Sequence, residues 1–176
     1  MRRATKQEVE TFSIAEKSEI VDKVFEYWRK NGFPQYSLTS QECNKEWELL
    51  QAYGRKGMIN SSGQIKQTMH GLGLAWNFFP HHWGISVNGK PTVLDIWDDD
   101  ILFKKAIARR ISRGGLAWDS NNNPHMTTSI IRKALMACSS AQRVSNFRPT
   151  ASASIYDRYA GDGIVWDMSC GFGGRL

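Results

Sequence analysis

Residues 163–176, GIVWDMSCGFGGRL, set a short apolar run, an acid, a short uncharged stretch and three glycines within four positions. An apolar strand that ends in an acid and a glycine-rich turn lets a ligand approach backbone N–H groups that no side chain obstructs. The spacing excludes two other phosphate loops. Gly171, Gly173 and Gly174 do not follow the G-x-G-x-x-G of a dinucleotide-binding turn, and no Gly-Lys-Ser/Thr follows them. The plain alternative is an ordinary flexible terminus that happens to contain glycines.

Other residues carry weaker chemical signals. His70, His81, His82 and His125 show no finger spacing with Cys43, Cys138 or Cys170, so no metal site is expected. Asp98, Asp99 and Asp100 suit either a magnesium ion or the positive end of a helix dipole, and the dipole explains three acids at a helix start. Lys104, Lys105, Arg109, Arg110 and Arg113 form a basic run that fits a DNA-contacting helix or a solvated face completing the same dipole; Arg132, Lys133 and Arg143 extend it. Trp76, Phe78, Phe79 and Trp83 suit base stacking or core packing.

The elements that position these groups read mainly as helices. Ser13 and Glu16 make a capping-box pattern ahead of Ile20, Val21, Val24, Phe25 and Trp28, and Gly32 with Pro34 ends that helix. Thr39 with Glu42 opens a second helix that carries Trp47 and Leu50 and is expected to pair with the first. Residues 54–63 read as a loop. Ile65, Met69 and Leu72 then suggest a helix weakened by Gly71 and Gly73, and Asn88-Gly89 suggests a short hairpin. Residues 98–115 are the clearest helix, acids first and bases last; another covers Thr127 to Ser139, and Pro149 opens one running to Gly161. Ile164, Val165 and Trp166 read as a buried strand.

Asp167, then Met168, Ser169 and Cys170, then Gly171-x-Gly173 resembles the first motif of class I S-adenosylmethionine-dependent methyltransferases. Just upstream, Asn146-Phe147-Arg148-Pro149-Thr150 and its helix resemble the segment that precedes this motif in phage-type, amino-methylating DNA methyltransferases. The resemblance covers residues 146–176. It implies that S-adenosylmethionine is the cofactor, held by Phe147, Arg148, Pro149, Thr150, Asp167, Met168, Ser169, Gly171 and Gly173. It also implies methyl transfer to a base amino group, adenine N6 favoured over cytosine. The sulfonium donor is already activated, so the protein chiefly positions the acceptor.

Such enzymes hold the flipped base with a D/N/S-P-P-Y/F loop. The five prolines here, at 34, 80, 91, 124 and 149, are all isolated, so no residue is assigned a catalytic role and the chain alone is expected to be inactive. The expected organisation is a helical N-terminal region, 1–145, leading into the first strand and Gly-rich loop of a truncated, Rossmann-like methyltransferase domain, 146–176.

The totals agree with a globular chain: 176 residues, 41% hydrophobic, with a formal charge of +6 and a pI near 9.3, which makes DNA an expected partner. No secretory leader and no stretch of roughly 20 apolar residues appears, so no membrane contact is expected and the location expected is the cytoplasm of a bacterium or a phage-infected cell. The competing reading is a non-enzymatic helical module that binds nucleic acid through residues 104–113 and 132–143.

Overall fold

The computed structural model describes residues 1–54, 60–64, 68–86, 88–137 and 146–168. The chain is mainly helical and divides into two compact units, one formed by Met1–Pro34 with Trp83–Arg143, the other by Gln35–His82 with Val144–Leu176. Residues 35–82 and 144–176 make up the second unit together.

In the first unit, β1 (Arg2–Arg3) precedes α1 (Lys6–Thr11) and α2 (Ile14–Asn31). After residue 83 come α5 (Val93–Asp98), α6 (Asp100–Ile111), β2 (Ala117–Trp118), β3 (Pro124–His125) and α7 (Thr128–Ala137); α3 and α4 belong to the second unit. The sheet is a small antiparallel one in the order β1-β2-β3, with Arg2 opposite Trp118 and Ala117 opposite His125. The turn from β2 to β3 is tied by Asp119, whose carboxylate accepts the backbone N–H groups of Asn121 and Asn123.

Local capping sets the helix starts. Ser13 and Glu16 exchange side-chain and backbone bonds at the head of α2, as the sequence pattern predicts. The same device at Thr5–Glu8 opens α1 and at Thr92–Asp95 opens α5. Asp99 accepts from the Leu102 N–H to start α6. The stripe Phe103, Ala106, Ile107 and Ile111 of α6 is fully or almost fully buried, and the helix packs against α2, α5 and α7. Arg29 locks this core from its edge: its guanidinium lies 4.9–5.1 Å from the ring centroids of Phe25, Trp97 and Phe103, while Nη2 donates to the Trp97 carbonyl and to Asp100, both at 2.6 Å.

The N-terminus is pinned through Glu8. Its carboxylate accepts two bonds of 2.8 Å from Arg2 and one of 3.1 Å from the Trp118 indole N–H. The Arg2 guanidinium is the main cause that holds the Glu8 carboxyl at about 2, below its ordinary 4.5. A depressed carboxyl contributes stability that is present above its unfolded value and is lost as pH falls toward the folded one. The melting temperature should therefore drop between about pH 4.5 and pH 2, and Glu8→Gln should make that drop shallower. Glu16, Glu42, Asp95 and Asp119, each lowered chiefly by a hydrogen bond from a nearby backbone N–H, act in the same direction. An identical acid profile for the variant would remove Glu8 as a source of the dependence.

In the second unit, α3 (Ser40–Gly54) starts at the Thr39–Glu42 pair, and α4 (Leu72–Phe78) and α8 (Pro149–Tyr159) pack on it. The expected pairing of α2 with α3 gives way: α2 packs on α6 and α3 on α8, each inside its own unit. The helix read from Ile65 also starts later. Residues 65–67 lie outside the described residues, 68–71 are not helical, and Gly71 takes a left-handed φ of 76° as the residue before α4, a geometry that cannot continue a right-handed helix through it.

Around Asn88-Gly89 the turn forms, with φ of 54° and 67°, but its flanks are not strands among the described residues. The segment that would have been the return strand is α5 instead, started by the Thr92–Asp95 box. A larger correction concerns Ile164–Trp166. These residues lie in no strand, and Ile164 and Trp166 are 99% and 83% exposed. A buried parallel strand needs neighbours to satisfy its backbone, and no described element of the second unit is a strand.

Candidate functional site

The second unit gathers the residues upstream of the acid–glycine segment. Arg148 is the extended residue before α8, and Pro149 takes the first helical position, where its missing N–H costs no bond. Arg148 Nη1 donates to the Thr68 carbonyl at 3.0 Å and lies 2.7 Å from Met69 Sδ, and the hydroxyls of Thr68 and Thr150 bond at 3.0 Å. The start of α8 is thus fastened to the segment just before Gly71. Thr150 and Ser154 are buried on one side of α8 and Ser152 is buried on the other, with the Ser154 hydroxyl donating to the Thr150 carbonyl. Their small side chains allow a close helix contact without an apolar stripe.

Beside this anchor lies a cavity of about 520 Å³ lined by Cys43, Asn44, Trp47 and Leu50 of α3, Gly71, Leu74, Ala75 and Phe78 at and in α4, and Phe79 and Pro149. Among the described residues, none that lines it is charged. The Cys43 thiol is free and half-buried, 4.0 Å from the Leu38 carbonyl and 4.0 Å from the Asn77 amide nitrogen. Asn77 is held in turn by the Leu38 N–H at 3.0 Å. A smaller cavity of about 360 Å³ adjoins the other end of α8 and includes Gln51, Tyr156, Asp157, Gly161 and Val165.

Of the predicted donor-binding residues, Pro149 and Thr150 are buried, Arg148 is half-buried, Phe147 is 41% exposed, Asp167 is half-buried and Met168 is 86% exposed. Ser169, Gly171 and Gly173 lie outside the described residues. Arg148, Pro149 and Thr150 come together at one helix start.

The basic run of α6 divides. Lys105, Arg109 and Arg113 are exposed. Lys104 is engaged inside the unit, with Asp22 at 2.7 Å and the Phe25 ring at 4.7 Å. Arg110 folds back on Gly115, where an added Cβ would stand 2.6 Å from Arg110 Cγ. Lys133 lies in α7 beside Arg132, and Arg143 lies outside the described residues.

The aromatic run divides as well. Trp76 packs on Tyr36 with ring centroids 5.0 Å apart, Trp83 is 2% exposed in the first unit against Phe33, and only Phe78 and Phe79 reach the cavity. Sequence reasoning had no assignment for Asn44 or for a cavity shared by Trp47 and Phe78. Their helical spacing marks a face, yet Trp47 is 46% and Phe78 65% exposed, and a periodic pattern does not separate an open wall from a filled core.

Among the described residues, no group of three or more His, Cys, Asp or Glu side chains converges as a metal site, and no helix is long and apolar enough to cross a membrane. No family model, curated protein or solved structure matches this chain.

Proposed function

We propose that this chain belongs to an S-adenosylmethionine-dependent DNA methyltransferase that modifies a base amino group, adenine N6 favoured, and that it contributes the donor-binding entry of a Rossmann-like domain. The observation that carries this reading is the order of parts: Arg148 and Pro149 open α8, the chain turns through Gly161 and Gly163, and an apolar run leads into Asp167 and the glycine segment. The fastening of Arg148 to Thr68 and Met69 supports it by holding that helix start in one geometry.

In this reading Asp167 faces the charged methionine end of the donor and the glycines let the loop wrap it. Lys105, Arg109 and Arg113 supply phosphate contacts that place DNA without reading its sequence. No catalytic residue is assigned to this chain, because the base-holding D/N/S-P-P-Y/F loop is not in its sequence.

Ultraviolet cross-linking with tritiated S-adenosylmethionine, followed by peptide mapping, tests the placement. Label confined to residues 146–176 is expected, and excess unlabelled donor should remove it. Label spread along the chain and indifferent to competitor would refute it.

A further inference from the structure

The cavity beside α8 has a buried floor and an aromatic rim. Leu50, Gly71, Ala75 and Pro149 are buried, whereas Trp47 and Phe78 are 46% and 65% exposed where they line it. Large rings at the mouth over small residues beneath leave a slot that the chain does not fill. Gly71 cannot fill it, because a Cβ there would stand 3.0 Å from Pro149 Cβ.

Hydrogen bonds hold the walls in place. Glu46 of α3 accepts from the Gly71 N–H at 3.4 Å, Asn77 of α4 accepts from the Leu38 N–H at 3.0 Å, and the hydroxyls of Thr68 and Thr150 bond at 3.0 Å. These tie α3, α4 and the start of α8 together inside the second unit. The volume of about 520 Å³ falls in the range of roughly 300–1,000 Å³ of small-molecule sites, which are mostly apolar with a few orienting polar groups. Here those groups are the Cys43 thiol, the Asn44 amide and the Trp47 indole N–H.

The lining decides the class of ligand. Among the described residues no charged side chain lines the cavity, so an ion would lose its hydration with no opposite charge to replace it. A purine base carries donors and acceptors around its whole edge and would leave most of them unpaired. Aromatic walls favour a flat ring, which stacks on them or meets them edge to face. We infer that the cavity binds an uncharged, flat, mainly apolar ring molecule, its face toward Trp47 and Phe78 and its polar group on Asn44. Pro149 belongs both to the floor and to the first turn of α8, so the occupied cavity braces that helix start. The inference uses neither Asp167 nor the glycine segment and stands apart from the methyltransferase reading.

Titration of the 176-residue chain with indole, read in the two-dimensional amide spectrum, tests it, with indole-3-acetate, tryptamine and adenine as controls. Indole should bind with a dissociation constant of about 1 mM or tighter. Its shifts should centre on Trp47, Ala75 and Phe78, and each control should bind at least about tenfold more weakly. Ala75→Leu, which fills the floor, should abolish the shifts and preserve or raise the melting temperature, because a side chain placed in empty space adds contacts. Phe78→Ala should weaken indole about two- to tenfold, with helicity unchanged by circular dichroism because Phe78 is 65% exposed. Indole should also slow alkylation of Cys43, followed on its own peptide by mass spectrometry, and raise the melting temperature of the second unit.

No saturable indole binding, equal affinity for the charged analogues or adenine, or binding that both substitutions leave unchanged overturns the inference. A fall in melting temperature for Ala75→Leu would show the floor to be filled already and overturns it as well. A chain that sediments as a dimer and takes up no indole would assign the rim to a second copy instead.

Discussion

Phe103→Ala is expected to lower the stability of the first unit by about 3–5 kcal/mol, the usual cost of truncating a fully buried phenylalanine. The ring has no exposure and sits 4.7 Å from the Trp97 ring centroid and 5.6 Å from that of Phe25. Removing it leaves a void in a core whose neighbours are large rings in fixed positions, so collapse recovers little of the loss. It also takes away one of the three faces over which the Arg29 guanidinium rests. Against a typical domain stability of about 5–15 kcal/mol, the variant should unfold at a much lower denaturant concentration. Urea titration followed by near-ultraviolet circular dichroism checks this. A loss under about 1 kcal/mol would show that the ring does not occupy the centre of the packing.

Gly71→Ala should have the second largest effect, a loss of about 2–5 kcal/mol in the second unit. Two costs add. The left-handed φ of 76° penalises any residue with a Cβ by about 1–2 kcal/mol. The new methyl would stand 3.0 Å from Pro149 Cβ and 3.2 Å from Leu50 Cδ2, an overpacking that costs typically about 1–3 kcal/mol. The neighbours are a proline ring fixed in the first turn of α8 and a buried leucine, so neither yields easily. Differential scanning calorimetry measures the first effect. A melting temperature within 1–2 °C of the parent, well inside the shift that about 1 kcal/mol produces, would contradict the geometry at Gly71.

Much of the helical scaffold was legible because its signals are local. Ser13 with Glu16 and Thr39 with Glu42 mark helix starts by their own side chains, Gly32 marks a stop, and Pro149 opens α8 where a missing N–H is free of cost. The α5 start was written in the same code, as Thr92 and Asp95, but a turn pair at Asn88-Gly89 competed with it and suggested a hairpin. Turn chemistry fixes a turn; it does not supply the strands on either side. The three-stranded sheet escaped for a different reason. Each strand is two residues long, too short for alternation to register, and β1 finds β2 more than a hundred positions away.

The interleaving of the two units escaped as well. Helices adjacent in sequence, α2 and α3, were expected to pair, yet α2 is completed by α6 and α3 by α8, a choice set by long-range packing. At the candidate site the sequence drew attention to Arg148 and Pro149, and the structure adds their fastening to Thr68 and Met69 and the cavity beside them. The burial of Thr150, Ser152 and Ser154 could not be read from residue type, because serine and threonine usually face water.

The most direct test of the methyltransferase account is calorimetric titration of the chain with S-adenosylmethionine beside its Asp167→Ala variant. The account predicts saturable, one-to-one binding by the parent that Asp167→Ala weakens at least about tenfold, the loss expected for one charge-assisted contact. Absence of saturable binding to a folded parent, or equal affinity in both proteins, would contradict it.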